Sequence, residues 1–290
     1  MVERKTPGER VLQALVYILV TFVGFVCLYP MLHVVSASLS DPMLLLRHRG
    51  ALFFPDGFSL RGYEAVLRNP NILSGYGNTL LYVAGGLVVG MILTPLGAYA
   101  LSCSDYPFRR GIVFFFVFTM YFSGGMVPLF LAVRAYGLYN TGWAVILPGA
   151  ISTYNMIVMR TSFNAVPAAL RESAYIDGAG DFTILYRIYI PVCKATMAVI
   201  ILFYTVSQWN SWFPAMIYLR DAKKYPLQLI LREILINDGS GGIVDDADAQ
   251  YLQELIKYCT IVVATVPILC IYPFVQKYFM KGVMLGSIKG

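Results

Sequence analysis

The chain has 290 residues, 58% apolar and only 13% charged, and a mean hydropathy of +0.66, whereas soluble globular domains carry about 25% charge. This excludes disorder, a secreted disulfide scaffold and an ordinary cytosolic enzyme, and leaves a membrane protein. The net charge of +6 comes from single basic residues scattered among apolar stretches, with no Lys/Arg run and no zinc-finger or helix-turn-helix pattern, so no nucleic-acid partner is expected.

After a charged start (Glu3, Arg4, Lys5, Glu9, Arg10) the stretch 11–35 is almost wholly apolar. It is too long for a signal-peptide core and reads as a first transmembrane helix. Further spans of roughly 20 residues are expected at about 79–103, 111–135, 143–159, 191–219 and 258–279. None alternates like a barrel strand, and backbone polar groups in lipid must be satisfied within their own segment. The expected fold is therefore all-α: a polytopic membrane protein with six transmembrane helices, the whole of 1–290 forming a single transmembrane domain.

With the N-terminus placed in the cytoplasm, the start, the turn 104–110, the stretch 160–194 and the tail are cytoplasmic. Those pieces hold twelve Lys/Arg against six acids, so the whole excess of +6 lies inside, as the positive-inside rule requires. Both termini are then cytoplasmic. The outer loops 36–78 and 220–257 are long, and the second carries the run Asn237-Asp238-Gly239-Ser240-Gly241-Gly242 followed by Asp245-Asp246-Ala247-Asp248. Such a tip reads either as a solvated linker or as a docking loop for an extracellular partner. The basic outer residues Arg47, Arg49 and Arg134 are offset by acids and do not fix the charge of a cargo.

Cys27, Cys103, Cys193, Cys259 and Cys270 lie in or beside apolar spans without CxxC spacing, which suits small apolar fillers. His33 and His48 have no ligand spacing, so no metal is expected. Gly86 and Gly90 give the second span a small-xxx-small packing face. Thr94-Pro95 and Asn155 read either as packing or as lining of a path. In the fifth span Gln208, Trp209, Asn210, Ser211 and Trp212 bring amides and aromatic rings into an apolar segment, which reads as the lining of a translocation pathway. An interfacial aromatic belt with helix–helix hydrogen bonds is the alternative reading.

Between the fourth and fifth spans lies a polar segment, 164–190. Pro167 suits the first turn of a helix and Gly178 its C-terminal stop. Asp181 is placed to cap a second short helix, Phe182–Ile190, before the fifth span starts at Pro191. Within this segment Glu172-Ser173-Ala174, three residues, Gly178, nine residues, Ile188, one residue and Ile190-Pro191 match E-A-A-x3-G-x9-I-x-L-P, with Ser173 for Ala and Ile190 for Leu. The chain thereby resembles the permeases of binding-protein-dependent ATP-binding-cassette importers. Ser38-Leu39-Ser40-Asp41, Phe58-Ser59-Leu60, Tyr63 and Asn78-Thr79-Leu80 resemble carbohydrate permeases of the maltose type. Ser123–Pro128 and Leu147–Ile151 are similar to the subgroup that handles polysaccharide fragments, often encoded with a lipoprotein binding component.

The resemblance implies that 164–190 is a cytoplasmic coupling helix and loop seated in a groove of an ATPase subunit. Glu172 would face a basic residue of that subunit, Ala174 would pack closely and Gly178 would allow the turn, with Ser173, Ile188 and Pro191 completing the motif and Asp177 counted among the coupling residues. It implies a single permease domain in a prokaryotic plasma membrane, moving a sugar or oligosaccharide. Its implied partners are a second homologous permease, two cytosolic ATPase subunits and an extracellular solute-binding protein. In related permeases the short tail, here 284–290, reaches between the ATPase subunits. The chain has no G-x-x-x-x-G-K-[ST] phosphate loop, so it is not itself an ATPase; no cofactor is expected on it, and ATP and Mg would bind the partner. The rival is a secondary transporter or membrane-embedded enzyme acting alone, which would need intramembrane carboxylates or a catalytic constellation. The spans are nearly free of both.

Overall fold

The computed structural model describes residues 7–48, 50–103, 106–236 and 252–270. The helices in chain order are α1 (Pro7–Ser38), α2 (Pro42–Arg47), α3 (Arg61–Arg68), α4 (Pro70–Ser102), α5 (Arg109–Tyr121), α6 (Met126–Ala135), α7 (Trp143–Ile146), α8 (Thr153–Asn164), α9 (Ala168–Ile176), α10 (Asp181–Val192), α11 (Lys194–Trp209), α12 (Phe213–Tyr218), α13 (Leu227–Ile236) and α14 (Leu252–Cys270). Among the described residues there is no strand, only an isolated antiparallel bridge between Ser40 and Phe58. The fold is all-α, as expected.

Among the described residues α1, α4 and α14 are each long and apolar enough to cross a membrane; α5 with α6 and α10 with α11 pass the same test as bent pairs, at 112° and 88°. The spans differ from the expected ones where Pro and Gly interrupt apolar runs. The stretch 143–159 is not one helix: α7 runs into a 3₁₀ turn at Leu147–Gly149, and α8 begins only at Thr153. Pro148 removes a backbone donor and Gly149 weakens the helix at that point. The stretch 191–219 bends at Cys193 and breaks again between Trp209 and Phe213. The second long helix starts at Pro70, not Thr79, because its polar first turns are helical too. Much of the expected outer loop 36–78 is accordingly helix. The acidic run 245–248 and the tail 284–290 lie outside the described residues.

The described residues fall in two compact units, Met1–Asn69 with Glu233–Thr265 and Pro70–Arg232 with Val266–Gly290. In the first, α1 is apolar on every side and buries only its last residues, Ser36, Ala37 and Ser38, as a helix solvated by lipid does. Its end is knitted by hydroxyls: Ser38 Oγ lies 2.8 Å from Tyr63 Oη, Ser40 Oγ donates to Ser36 O, and Asp56 N donates to Ser40 Oγ. Asp41 caps α2 by accepting from Met43 N. A Cβ on Gly62 would stand 2.5 Å from Cys259 Sγ, so glycine there lets α3 approach α14.

In the second unit α4, α8 and α11 pack together around Ala98, Met156, Met159, Phe163, Ile200 and Tyr204. The small residues of α4 permit the approach. A Cβ on Gly90 would lie 3.0 Å from the Tyr204 ring and 3.1 Å from Ala150 O, and one on Gly86 would touch Gln208, which is the packing role read from their spacing. Thr94 Oγ1 and Tyr204 Oη lie 2.6 Å apart, so Thr94 is part of this packing. At the other end of α4, Asn78 Nδ2 donates to Lys223 O and Tyr225 O, and Leu227 N donates to Thr79 Oγ1. The Asn-Thr pair thus satisfies backbone groups in the turn ahead of α13, groups that would be costly to leave unpaired.

Candidate functional site

The polar segment between α8 and α10 folds as a helix, a glycine turn and a second helix. Pro167 stands at the N-cap of α9 and Asp177 at its C-cap. Gly178 takes φ +79°, while Ala179 N donates to Ala174 O and Gly178 N to Tyr175 O. This is a Schellman closure, in which a left-handed residue lets the chain satisfy the last helical carbonyls. The turn role read for Gly178 has this physical basis.

Asp181 does not cap the second helix. Gly180 occupies the N-cap without a side-chain bond. The Asp181 carboxylate turns back instead, and its Oδ1 accepts from Tyr175 Oη at 2.5 Å and from Tyr99 Oη at 2.9 Å. The Tyr175 bond, helped by Tyr99 and Arg171, holds the Asp181 carboxyl below its ordinary range against the opposing pull of burial. Arg171 lies over the Tyr175 ring, 5.2 Å from its centroid, and its Nη2 donates to the same hydroxyl. Tyr99 ends α4 in edge contact with Tyr189, which also packs on Phe163. One network therefore joins α9, α10 and α4. The carbonyl end of α4 receives further donors, from Arg160 to Leu101 O and from Arg109 to Ser102 O, where cations oppose the helix dipole.

The motif residues divide between two faces. Glu172, Ser173, Asp177 and Gly178 are exposed, and the Ser173 hydroxyl donates to Ala169 O. Ala174 is buried in this chain's own core, where Ile188 also packs. Pro191 is exposed near the bend at Cys193. The outward face carries large apolar side chains that the motif does not include: Ile176 is 87% exposed, and Phe182 and Tyr186 are also open. An isoleucine at the end of a polar helix was the available signal for such a face.

Residues 208–212, expected in the fifth span, lie at a break between α11 and α12. Gln208 and Trp209 end α11, Asn210 is its C-cap and Trp212 precedes α12. Gln208 Nε2 is buried without a hydrogen-bond partner among the described residues. Trp209 is buried with its ring against Tyr76, so it presents no open stacking face here. Asn210 is exposed and donates to Val206 O. Trp212 lies beneath the Arg232 guanidinium, 4.4 Å from its ring centroid, a contact of the cation–π kind. Non-helical backbone at membrane depth is tolerated where it is buried in protein or lines a cavity.

No protein-family model matches the chain. Among curated proteins it is 38% identical over 285 residues to the polygalacturonan/rhamnogalacturonan transport system permease protein YtcP of Bacillus subtilis, covering 97% of this chain and 99% of that one. It is 36% identical over 287 residues to protein LplC of the same organism, covering 98% and 97%. Among solved structures it is similar to a chain of a bacterial ABC transporter involved in the import of the acidic polysaccharide alginate. The TM-score is 0.88 and the identity 32%, with 96% of this chain and 100% of that one covered.

Proposed function

The chain belongs to the sugar-transport permeases of ATP-binding-cassette importers, and we propose that it is one of two permeases in a complex driven by two cytosolic ATPase subunits and supplied by an extracellular binding protein. It is a membrane protein. In this reading it spans the bilayer six times with both termini in the cytoplasm. The broken stretch Trp143–Asn164 is the fourth span and the bent pair α10 with α11 leads into the fifth. ATP and Mg act on the partner ATPase.

The observation that carries this reading is the α9 helix and its ties. Its outer face offers Glu172 and Ile176 to a partner, while its inner face is fixed through Asp181 to Tyr99 at the end of α4. A partner that grips α9 and moves therefore pulls on a long apolar helix. ATP would close the ATPase dimer, draw the two coupling helices together and turn the cavity outward. That requires two global states whose balance ATP shifts by differential binding.

The cargo we propose is a fragment of a polysaccharide, delivered by the binding protein, and specifically one bearing uronic acids. Two relatives above 30% identity are named for polygalacturonan and for alginate. The segment 220–232 of this chain carries Arg220, Lys223, Lys224 and Arg232 against the single acid Asp221, a charge balance suited to carboxylates. The test is uptake by the complete complex in proteoliposomes, with ATP inside and binding protein outside, of galacturonic acid oligomers against neutral arabinan oligomers. Uptake of the uronate alone is expected; preference for the neutral oligomer removes the acidic cargo, and ATP-independent uptake removes the importer.

A further inference from the structure

The segment 50–60 follows the end of α1 and α2, outside any long apolar helix, and yet it stays apolar. Phe53 is 46% exposed, Phe54 82% and Phe58 72%. Asp56 is the single charged residue of the segment, and its Oδ2 lies 2.5 Å from His48 Nδ1. A Cβ on Gly57 would meet Leu44 Cδ1 at 3.0 Å, so α2 packs against this turn and adds its own exposed Met43 and Leu44. Single apolar residues scattered over a surface need no explanation, but a group gathered on one turn marks a contact.

The depth of the turn is set by α1. Ser36 Oγ donates to Phe53 O at 3.0 Å, and the Phe53 ring turns back along the helix to Tyr29, with centroids 5.2 Å apart. The apolar run of α1 ends near residue 35. Even with the hydrocarbon centred on that run, its ~20 residues end near His33, one turn beyond Tyr29. The Phe53 ring therefore stands at the edge of the hydrocarbon. The backbone suits that place: Asp41 N donates to Asp56 O and Gly57 O, Asp56 N to Ser40 Oγ, and Ser59 N to Leu39 O. Irregular backbone cannot lie bare among lipid tails, so it stays at headgroup level while the rings reach down, where aromatic side chains are favoured.

We propose that the segment 50–60, with α2, is a lipid anchor that sets Phe53, Phe54 and Phe58 into the interface of the leaflet at the Ser38 end of α1. It requires only that α1 crosses the bilayer and does not depend on the cargo. The contact with Tyr29 selects lipid over a soluble partner, because a protein docked from the water stops at the headgroups, whereas Tyr29 lies within the apolar run. The patch also continues the surface of α1, which buries only its last residues, Ser36 to Ser38, in this chain. Seated in this way, the turn holds the end of α1 at a fixed height in the membrane, through the Ser36 bond and the Tyr29 contact.

The test puts the photoreactive residue p-benzoylphenylalanine in place of Phe54 or of Phe58 in the complete complex, held in vesicles of phosphatidylethanolamine and phosphatidylglycerol with the binding protein present. Adducts are identified by mass spectrometry. The same residue in place of Glu64, an exposed polar position of α3, is the reference. Burying a phenylalanine favours the apolar side by an order of magnitude or more, so lipid adducts at 54 and 58 are expected to exceed those at 64 about tenfold. Adducts chiefly to the binding protein would make the patch its docking face, and adducts chiefly to the second permease would make it a subunit interface. A lipid yield at 54 and 58 no higher than at 64 would make it a solvated loop. Each of these three results overturns the anchor and leaves the importer reading standing.

Discussion

The Tyr175 hydroxyl donates to Oδ1 of Asp181 across the turn made by Gly178, so α9 and α10 are locked to each other by a charged hydrogen bond. Tyr99 donates to the same oxygen from the end of α4. A single carboxylate thus carries the connection from the exposed helix to a long apolar one, and bonds to a charged acceptor are roughly twice as strong as neutral ones.

Asp181→Asn is expected to uncouple more than it unfolds. The amide accepts more weakly, so ATP hydrolysis should continue while saccharide uptake per ATP falls severalfold. The sign of the pH effect follows from a native pKa below the ordinary value. The contribution is fully present above the ordinary carboxylate range and is lost as pH falls through the lowered native value. The gap in melting temperature between wild type and Asp181→Asn should therefore be constant near neutrality and close only in acid. A gap that closes at neutral pH contradicts the assignment.

Gly178→Val places a β-branched side chain at φ +79°, where nothing lies within 4 Å of the added Cβ. The cost is backbone strain without a clash, roughly 1–2 kcal/mol, and it falls on the turn between α9 and α10. Membrane insertion should survive and transport should drop, with Gly178→Asn milder because Asn tolerates the left-handed region. Normal saccharide-stimulated ATPase activity in the Gly178→Val complex would count against the coupling role.

Gly90→Val is expected to destabilise by ~1–3 kcal/mol, the usual cost of overpacking, since the new Cβ meets the Tyr204 ring and Ala150 O. Gly24→Val, with nothing within 4 Å, is the control on α1. Thermal unfolding in detergent separates the two, and equal stability of both variants contradicts the close approach of α4, α8 and α11.

Asn210→Cys should react with a soluble thiol reagent in the complete complex and Trp209→Cys should not, because the first position is exposed and the second packs against Tyr76. Labelling of Asn210→Cys that changes with ATP marks a gated path at the break after α11. Free labelling at 209 with none at 210 would reverse the two roles.

The turn at Gly178 was legible because Pro167 and Gly178 are local signals whose backbone demands do not depend on the rest of the fold. Hydropathy alone marked all-α spanning structure for the same reason. Asp181 was misread as a cap because its partners, Tyr99 and Tyr175, lie on other elements, and local propensity gives no view of such contacts. The stretches 143–159 and 191–219 looked continuous because their apolar content hides the Pro148–Gly149 turn and the break at Asn210. The same breaks decide the candidate site, since they place Asn210 to Trp212 between α11 and α12, outside regular helix.

The central claim is that a partner ATPase drives this chain through α9, and Ile176→Asp tests it most directly. Ile176 is 87% exposed, so a carboxylate there leaves the fold intact but puts a charge into the proposed contact. The complex purified in mild detergent should lose its ATPase, and proteoliposomes should lose ATP-dependent saccharide uptake, while the Ile176→Asp chain still pairs with the second permease. Full retention of both the ATPase and the uptake would contradict the account.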